Sequence, residues 1–325
     1  MKEIIIGKND SGQRLDRFID KAVPLLPASL CQKYIRLKRI KVNGRGSDRD
    51  YRLQPGDVLS LYINDEFFDR PTEENAYKKI NAPKLDIVYE DENLLLADKK
   101  IGQLCHSADG SEVSKTLIAN IQSYLYQKGD WRPREENAFT PALCNRIDRN
   151  TGGIVIAAKT AQALRILNQK IKDREIDKFY LCIVQGQMKP ASGRLESFIF
   201  KDAEKNRVYV RQKSEPGAKT AVTEYETLNF NKASNLSLLR CRLLTGRTHQ
   251  IRAQFAASGH PLLGDGKYGG ARVLSGAEKH QALYSYKISF DFPTDADSLN
   301  YLKGKSFKVV KVDFVEKYFP GLKYD

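Results

Sequence analysis

Strand-like segments follow one another from about residue 83 to the end of the chain, with few helical segments between them. Apolar and β-branched runs predict strands at 87–89, 94–97, 154–158, 179–184, 195–200, 208–211, 221–228, 236–243, 284–290 and 307–314. Helical spacing predicts three helices. One covers 117–125, a second begins after Thr160, which caps it, and a third covers 249–257. Because strands and helices do not alternate strictly, we predict an α+β fold with a mixed, largely antiparallel sheet and flanking helices.

A smaller unit precedes this sheet. The chain has 325 residues, of which 41% are hydrophobic, enough for two folded domains. We predict a small α/β domain at 1–63, a polar and locally acidic linker at 64–82, and the sheet domain at 83–325.

Positive charge is concentrated near the N-terminus. The chain carries a net charge of +14 and has a pI of about 9.4. Residues 13–52 hold eleven basic and four acidic side chains. Their net charge of +7 is half of the net charge of the whole chain. Clustered Lys and Arg side chains favour a polyanionic partner, nucleic acid before membrane, since binding releases counterions from phosphates. We expect no membrane partner, because no basic amphipathic helix carries bulky apolar anchors.

No targeting segment or metal-binding pattern is visible. The first residues become charged too early for a signal peptide, so we expect a cytoplasmic protein. Five scattered cysteines form no C-x-x-C pair, and the four histidines show no H-E-x-x-H spacing. We therefore expect neither a metal nor a cofactor.

The N-terminal segment has a readable order of elements. The predicted elements are a helix at 15–22 that Pro24 stops, a helix capped by Ser29, a strand at 40–42, a turn at 43–44 and a strand at 58–63. This order resembles the S-four type RNA-binding module, named for a ribosomal protein. The resemblance rests on R-L-D-R-F at 14–18, I-K-V-N-G at 40–44 and L-Q-P-G-D-V-L at 53–59. Its implied RNA-binding residues are Arg14, Arg17, Lys33, Arg36, Lys38 and Arg39. The alternative is a basic, solvated helical hairpin with no partner.

A short polar stretch at 145–153 precedes the apolar run 154–158. It places Asp148 between Arg146 and Arg149 and ends in Gly152-Gly153. Nearby positive charge favours an ionised carboxylate, which suits a nucleophile or an electrostatic partner better than a general acid. Paired glycines allow a tight turn or the close approach of another segment. Taken alone, the stretch also fits an ordinary turn that enters a strand.

The same stretch resembles the H-R-L-D-R-x-T-S-G signature of pseudouridine synthases of the ribosomal large-subunit type. This resemblance implies that Asp148 is the catalytic nucleophile. Asn145 replaces the usual His and Gly152 the usual Ser, and their effect is left open. A second departure lies at 98–106, where D-K-K-I-G-Q-L-C-H lacks the proline of the family's N-K-P-x-G-x-x-V-H.

Three later motifs resemble the same family. The K-x-Y motif at 178–180 implies that Tyr180 stacks against the target base, and its hydroxyl suits proton transfer. The segment L-T-G-R-T-H-Q-I-R at 244–252 resembles T-G-R-x-H-Q-[IL]-R. In it we expect Arg252 to pair with Asp148, and Arg247 and His249 to contact phosphate or brace the loop. The glycine-rich segment 259–269 is expected to support the site first and to contact RNA second.

Together these motifs imply an RNA pseudouridine synthase that acts on large-subunit ribosomal RNA. We expect a monomer, because the sequence shows no obvious assembly surface. Arg146 would fill the gap left by the flipped base, and Arg149 is assigned to RNA binding. Attack by Asp148 on the sugar, attack on the uracil ring and assisted elimination remain open. The alternatives are a non-catalytic RNA-binding or ribosome-assembly protein, a synthase acting on transfer RNA, and an RNA hydrolase.

Overall fold

Two sheets organise the chain in the computed structural model, which describes residues 1–23, 26–68, 77, 80–107, 112–133, 138–202, 204–205, 207–269 and 278–324. The first elements are β1 (Lys2–Ile5), α1 (Leu15–Ala22), α2 (Ala28–Arg36), β2 (Ile40–Val42), β3 (Arg45–Gly46) and β4 (Val58–Leu61). They are followed by β5 (Ile87–Glu90), β6 (Leu94–Lys99), α3 (Leu117–Lys128), β7 (Ala142–Leu143), β8 (Gly152–Ala158), α4 (Ala161–Lys172), β9 (Ile176–Gln185) and β10 (Ser192–Asp202). The last elements are β11 (Arg207–Arg211), β12 (Lys219–Asn231), β13 (Leu236–Leu243), α5 (Gln250–Ala257), β14 (Leu283–Phe290), β15 (Ser306–Lys308) and α6 (Asp313–Tyr318).

The N-terminal unit (residues 1–63) has its own sheet and its own core. Its strands lie in the order β1-β4-β2-β3, and α1 and α2 pack on them through Phe18, Ile19 and Ile35. The hairpin between β2 and β3 turns at Asn43 (φ 50°) and Gly44 (φ 74°), as their residue types predict. The unit contacts the rest of the chain where Arg165 of α4 donates a hydrogen bond to the carbonyl of Ser11 at 2.8 Å.

Most of the N-terminal predictions are confirmed, and one is wrong. The first helix and the strand at 40–42 have the predicted bounds, whereas β4 ends at Leu61, two residues early. Ser29 does not cap α2, because the helix starts at Ala28 and Ser29 is its second residue. The N-cap position is held by Pro27, whose side chain has no oxygen to accept a hydrogen bond. Pro24 lies outside the described residues.

The second sheet contains eleven strands among the described residues. Its path is β11-β10-β12-β13-β9-β14-β8-β6-β5, with β15 beside β14 and β7 beside β8. Within the described chain, every pairing is antiparallel except that of β8 with β14. The predicted mixed, largely antiparallel α+β fold is confirmed.

Strand β8 is an interior strand of the second sheet, between β14 and β6, and is buried on both faces. Ile154 and Ile156 pack into the core that α4 and α6 cover, whereas Val155 and Ala157 pack under α3. A strand buried on both faces needs a continuous apolar run, which explains the sequence of 154–158. Helix α4 begins after Thr160, whose hydroxyl accepts a hydrogen bond from the Ala163 N–H at 3.1 Å, as predicted.

The end of the chain differs from its prediction. We expected a strand over 307–314, but β15 ends at Lys308 and α6 begins at Asp313. Phe314 and Val315 bury their side chains in the main core from this short helix. The apolar residues alone did not distinguish a strand from a buried helical turn.

The predicted linker is described only in part, and its bounds stay a prediction. Residues 69–76 and 78–79 lie outside the described residues. Tyr77 is buried against Trp131, with ring centroids 4.9 Å apart. Among the described residues, no helix has the length and apolar character to cross a membrane.

Candidate active site

The segment that carries Asp148 connects β7 to β8, and its backbone is fixed by surrounding groups. The Thr151 N–H donates to the Asp148 carbonyl at 3.1 Å, and the Gly102 N–H donates to the Arg149 carbonyl at 2.9 Å. Asn145 accepts a hydrogen bond from the Ile156 N–H at 2.8 Å through its side chain. These contacts connect the segment to β8 and to the loop after β6, so the Asp148 backbone has a defined position.

The glycines after Asp148 allow β14 to approach β8. Tyr284 and Ser285 of β14 are the register partners of Gly152 and Gly153. A Cβ atom at Gly152 would overlap the Tyr284 ring, and one at Gly153 would overlap the Ser285 carbonyl oxygen. The close approach predicted from the glycine pair is confirmed. The usual Ser at position 152 does not fit beside Tyr284 in this arrangement.

The Asp148 carboxylate is held by a buried arginine. Arg252 Nη1 donates to Asp148 Oδ2 at 2.9 Å, which confirms the predicted pair. The same guanidinium binds Asp265 through two hydrogen bonds of 2.7 and 2.9 Å. Burial alone would lower the pKa of Arg252, but Asp265 and Asp148 together raise it above its usual value. Arg252 is therefore a permanent cation that orients Asp148.

His249 approaches the same carboxylate oxygen from the start of α5. Its Nε2 lies 3.8 Å from Asp148 Oδ2, and its Nδ1 is hydrogen-bonded to the Tyr268 hydroxyl at 2.7 Å. The Tyr268 oxygen already accepts from the Val208 N–H, which leaves its own proton to donate to Nδ1. This favours the tautomer with the proton on Nε2, directed at Asp148. Burial lowers the pKa of His249, with Asp148 opposing, so the ring is neutral at pH 7.

Tyr180 lies on the face of β9 that points to α5. Side chains alternate along a strand, so Tyr180, Cys182 and Val184 join the core beneath α5, whereas Leu181 and Ile183 face the opposite core. Burial raises the pKa of Tyr180, which keeps the phenol protonated at neutral pH. The ring and its hydroxyl thus face the same space as Asp148.

Asp148 and Tyr180 line one cleft of about 890 Å³, which we call the Asp148 cleft. Six of the catalytic and RNA-binding residues that the sequence predicts line this cleft, namely Arg146, Asp148, Tyr180, Arg247, His249 and Arg252. Such a volume lies within the range of small-molecule sites and suits a single nucleotide. Arg146 is exposed at this cleft, and Arg247 donates to the Thr220 carbonyl at 3.0 Å, which braces its loop.

Arg149 does not join the other candidates in the cleft. Its Nε donates to the Gly102 carbonyl at 3.1 Å, and its Nη2 lies 3.9 Å from Glu112. The structure therefore places it against the loop after β6. Its assignment to RNA binding stays a prediction.

The predicted RNA-binding residues of the N-terminal unit fall into two groups. Arg14 and Arg17 have carboxylate neighbours, Asp16 at 2.7 Å and Asp20 at 3.9 Å respectively. The second group is exposed and forms no ion pair within the described chain; its members are Lys33, Arg36, Lys38 and Arg39. The second group therefore offers uncompensated positive charge.

Sequence reasoning missed three residues that support the site. Asp265 and Tyr268 lie in the glycine-rich segment, whose predicted supporting role is confirmed by their contacts with Arg252 and His249. Lys99 is fully buried, and its ammonium donates to the carbonyls of Lys100, Gln103 and Arg149 at 2.7 to 3.0 Å. Asp265 could be suspected from its motif alone, whereas no local signal identifies the three carbonyls around Lys99.

No group of three or more His, Cys, Asp or Glu side chains converges on a metal-sized space within the described ranges. The sequence expectation of a metal-free site stays a prediction.

Comparison with protein-family models identifies residues 93–257 with the RNA pseudouridylate synthase family. An uncharacterised RNA pseudouridine synthase of Mycoplasma genitalium is 32% identical over 89% of this chain and 88% of its own. The ribosomal large subunit pseudouridine synthase D of Neisseria meningitidis is 28% identical over 90% of this chain and 75% of its own.

Two solved human structures share the fold. The human RNA pseudouridylate synthase domain containing 4 protein has a TM-score of 0.53 and 18% identity, over 73% of this chain and 92% of its own. The related domain containing 1 protein has a TM-score of 0.52 and 19% identity, over 74% of this chain and 96% of its own.

Proposed function

Because the chain belongs to the RNA pseudouridylate synthase family, and is thus an RNA uridine isomerase, we propose that it modifies large-subunit ribosomal RNA with Asp148 as nucleophile. The ribosomal target is supported by similarity to the Neisseria enzyme, whose name gives that substrate. A ribosomal RNA target also agrees with the cytoplasmic location expected from the sequence. All the residues invoked belong to one chain, so we take a monomer as the acting unit.

One observation carries the assignment of Asp148. Its carboxylate is one-quarter exposed (26%) in the Asp148 cleft, while the partner Arg252 is 8% exposed and Asp265 is fully buried. The carboxylate therefore remains accessible to a substrate although its orientation is fixed from behind. A positioned carboxylate with an open face is the arrangement that covalent catalysis by an aspartate requires.

The reaction breaks the bond between uracil N1 and the ribose and forms a bond from uracil C5 to the same sugar carbon. N1 gains a proton and C5 loses one, so the product is an isomer of the substrate. Asp148 attacks the sugar carbon or the uracil ring, or assists elimination. Tyr180 stacks on the base. Because its hydroxyl is protonated, it takes up the proton that leaves C5 only by passing its own proton to another acceptor, as a relay.

The target uridine must leave its stack to enter the Asp148 cleft. Unstacking costs on the order of a few kcal/mol, and contacts with the RNA backbone offset that cost. Arg146 is exposed beside Asp148 and carries a planar guanidinium that can stack in the gap. The exposed cations of the N-terminal unit supply further backbone affinity.

The proposal is tested by mapping pseudouridine in unmodified large-subunit ribosomal RNA after incubation with the purified protein, with and without a chelator. We expect new pseudouridine at defined positions in both reactions. Product on transfer RNA alone would replace the ribosomal target. RNA cleavage that a chelator abolishes would favour a hydrolase, and RNA binding without product would favour the ribosome-assembly alternative.

A further inference from the structure

The Asp148 cleft extends along β9 from Tyr180 to Ile176. Besides the residues around Asp148, it is lined by basic side chains near the start of β9. These are Lys172, Arg174 and Lys178, while Lys201 of β10 lines the cleft elsewhere. The cleft thus has a catalytic end at Asp148 and a basic arm that leads away from it.

Lys178 lies where the catalytic end meets the basic arm. It precedes Tyr180 by two residues on β9, so the two side chains point to the same face, about 7 Å apart along the strand. Phe179, between them, points to the other face, where the Lys287 ammonium lies 5.7 Å from its ring. A displacement of this size is comparable to one step along an extended nucleic-acid strand.

The acidic side chains of the cleft do not neutralise Lys178. Asp148 is bound by Arg252 at 2.9 Å, and Asp177 is bound by Arg242 at 2.9 Å. Within the described chain, the Lys178 ammonium forms neither a hydrogen bond nor an ion pair. Burial lowers the pKa of Lys178 below its usual value, and the nearby Asp177 carboxylate offsets only part of this shift. A half-buried ammonium without a partner is costly, and an anion that enters the cleft would relieve this cost.

We infer that Lys178 binds the phosphate adjacent to the target uridine and that the basic arm guides the flanking nucleotides. The inference rests on the proposed function, since it takes Tyr180 as the residue beneath the target base. A lysine suits this role because it is a compact charge that tolerates several phosphate orientations. Lys178 therefore binds substrate and takes no part in the exchange of bonds.

The test compares wild type with Lys178→Met, Lys178→Gln, Lys178→Arg and the control Lys287→Met, whose lysine lies on the opposite face. Pseudouridine formation on unmodified large-subunit ribosomal RNA gives KM and kcat, and RNA binding is measured against salt. We expect Lys178→Met to raise KM about tenfold and to reduce the salt slope of binding by about 0.7, the value for one single-strand phosphate. The variant should keep kcat within about twofold of wild type.

The controls separate loss of charge from loss of packing, since the two neutral variants keep a side chain of similar length and differ in polarity, whereas Lys178→Arg keeps the charge and changes the shape. Lys178→Arg should recover most of the affinity, and Lys287→Met should behave as wild type. The inference is overturned if the two neutral variants leave KM and the salt slope unchanged, or if they lower kcat alone. If the wild-type protein forms no pseudouridine, the proposed function fails, yet the salt dependence of RNA binding still tests Lys178.

Discussion

The Asp148 cleft and the N-terminal unit both present positive charge, but they hold it in different ways. In the cleft, Arg252 is buried and shared between Asp148 and Asp265. In the N-terminal unit, Lys33 and Arg36 are exposed at the end of α2 without a carboxylate partner in the described chain. Burial fixes the geometry of a charge, whereas exposure leaves it free to follow a mobile polyanion.

This difference separates two tasks. A fixed cation can orient a reacting carboxylate, since its position is determined by several hydrogen bonds at once. Exposed cations contribute to RNA affinity without a defined geometry, and added salt weakens this contribution. Changes in the cleft should therefore affect stability and turnover, while changes in the N-terminal unit should affect affinity and its salt dependence.

The largest effect on stability is expected for Asp265→Asn. It removes one charge of a buried pair, which costs about 3 to 5 kcal/mol of unfolding free energy, and it should lower turnover because Arg252 loses its support. Urea unfolding and a pseudouridine assay measure the two effects. Glu226→Gln is the matched control, since Glu226 binds the partly exposed Arg240 at 2.6 Å, and it should cost less than about 1 kcal/mol. Equal losses for both variants would remove the distinction between buried and exposed charge.

A smaller loss of stability is expected for Lys99→Met. Three carbonyls would lose the ammonium donor; those of Lys100 and Arg149 keep a backbone N–H, whereas that of Gln103 has no other donor within the described chain, at a cost of about 1 to 3 kcal/mol. The neighbouring variant Lys100→Met removes an exposed lysine that lies 3.5 Å from Asp86 and should have little effect. Thermal unfolding of both variants is the measurement. A neutral Lys99→Met would show that the loop after β6 does not depend on this ammonium.

Changes in the N-terminal unit should act on RNA affinity alone. The double variant Lys33→Gln with Arg36→Gln should weaken RNA binding and reduce the salt slope by roughly 0.7 to 0.9 for each phosphate that the protein no longer neutralises. Its kcat should equal that of wild type. The matched double variant Lys303→Gln with Lys232→Gln removes two lysines of the larger sheet domain. If both double variants weaken binding equally, the effect reflects total charge rather than a binding surface.

The smallest effect concerns His249 and pH. Burial lowers the pKa of His249 below 6.5, so the unfolded chain takes up a proton at higher pH than the folded chain does. Stability should therefore decrease as pH falls through 6.5 towards the lowered value in the folded state. Denaturant unfolding between about pH 8 and about pH 5 should show a shallower decrease for His249→Gln. An identical pH dependence in both proteins would exclude His249 as the group responsible.

The parts of the molecule that could be predicted from the sequence are those whose causes are local. Strand β13 has the predicted bounds of Leu236–Leu243, and the hairpin at Asn43 and Gly44 follows from their tolerance of positive φ. The pairing of Arg252 with Asp148 followed from motif resemblance rather than from spacing, since 104 residues separate the two.

The identity of distant partners could not be predicted in this way. Asp265 is one acid among 40 Asp and Glu residues, and only the fold brings it against Arg252. Lys99 looks like any lysine at the end of a strand, and its three carbonyl partners have no side-chain signature. At the C-terminal end, the apolar residues Phe314 and Val315 are compatible with a strand or with a helix. Their packing in the main core, which the sequence does not show, selects the helix.

In the proposed mechanism Asp148 performs the chemistry, while its surroundings only orient it. The most direct test is a single-turnover pseudouridine assay on ribosomal RNA with Asp148→Asn, with RNA affinity measured in parallel. Asp177→Asn is the control, because Asp177 also lines the cleft but is bound by Arg242. We expect Asp148→Asn to lose at least about 10⁴-fold in rate, with RNA affinity unchanged, while Asp177→Asn remains active. Turnover by Asp148→Asn near the wild-type rate would contradict the assignment of Asp148 as nucleophile.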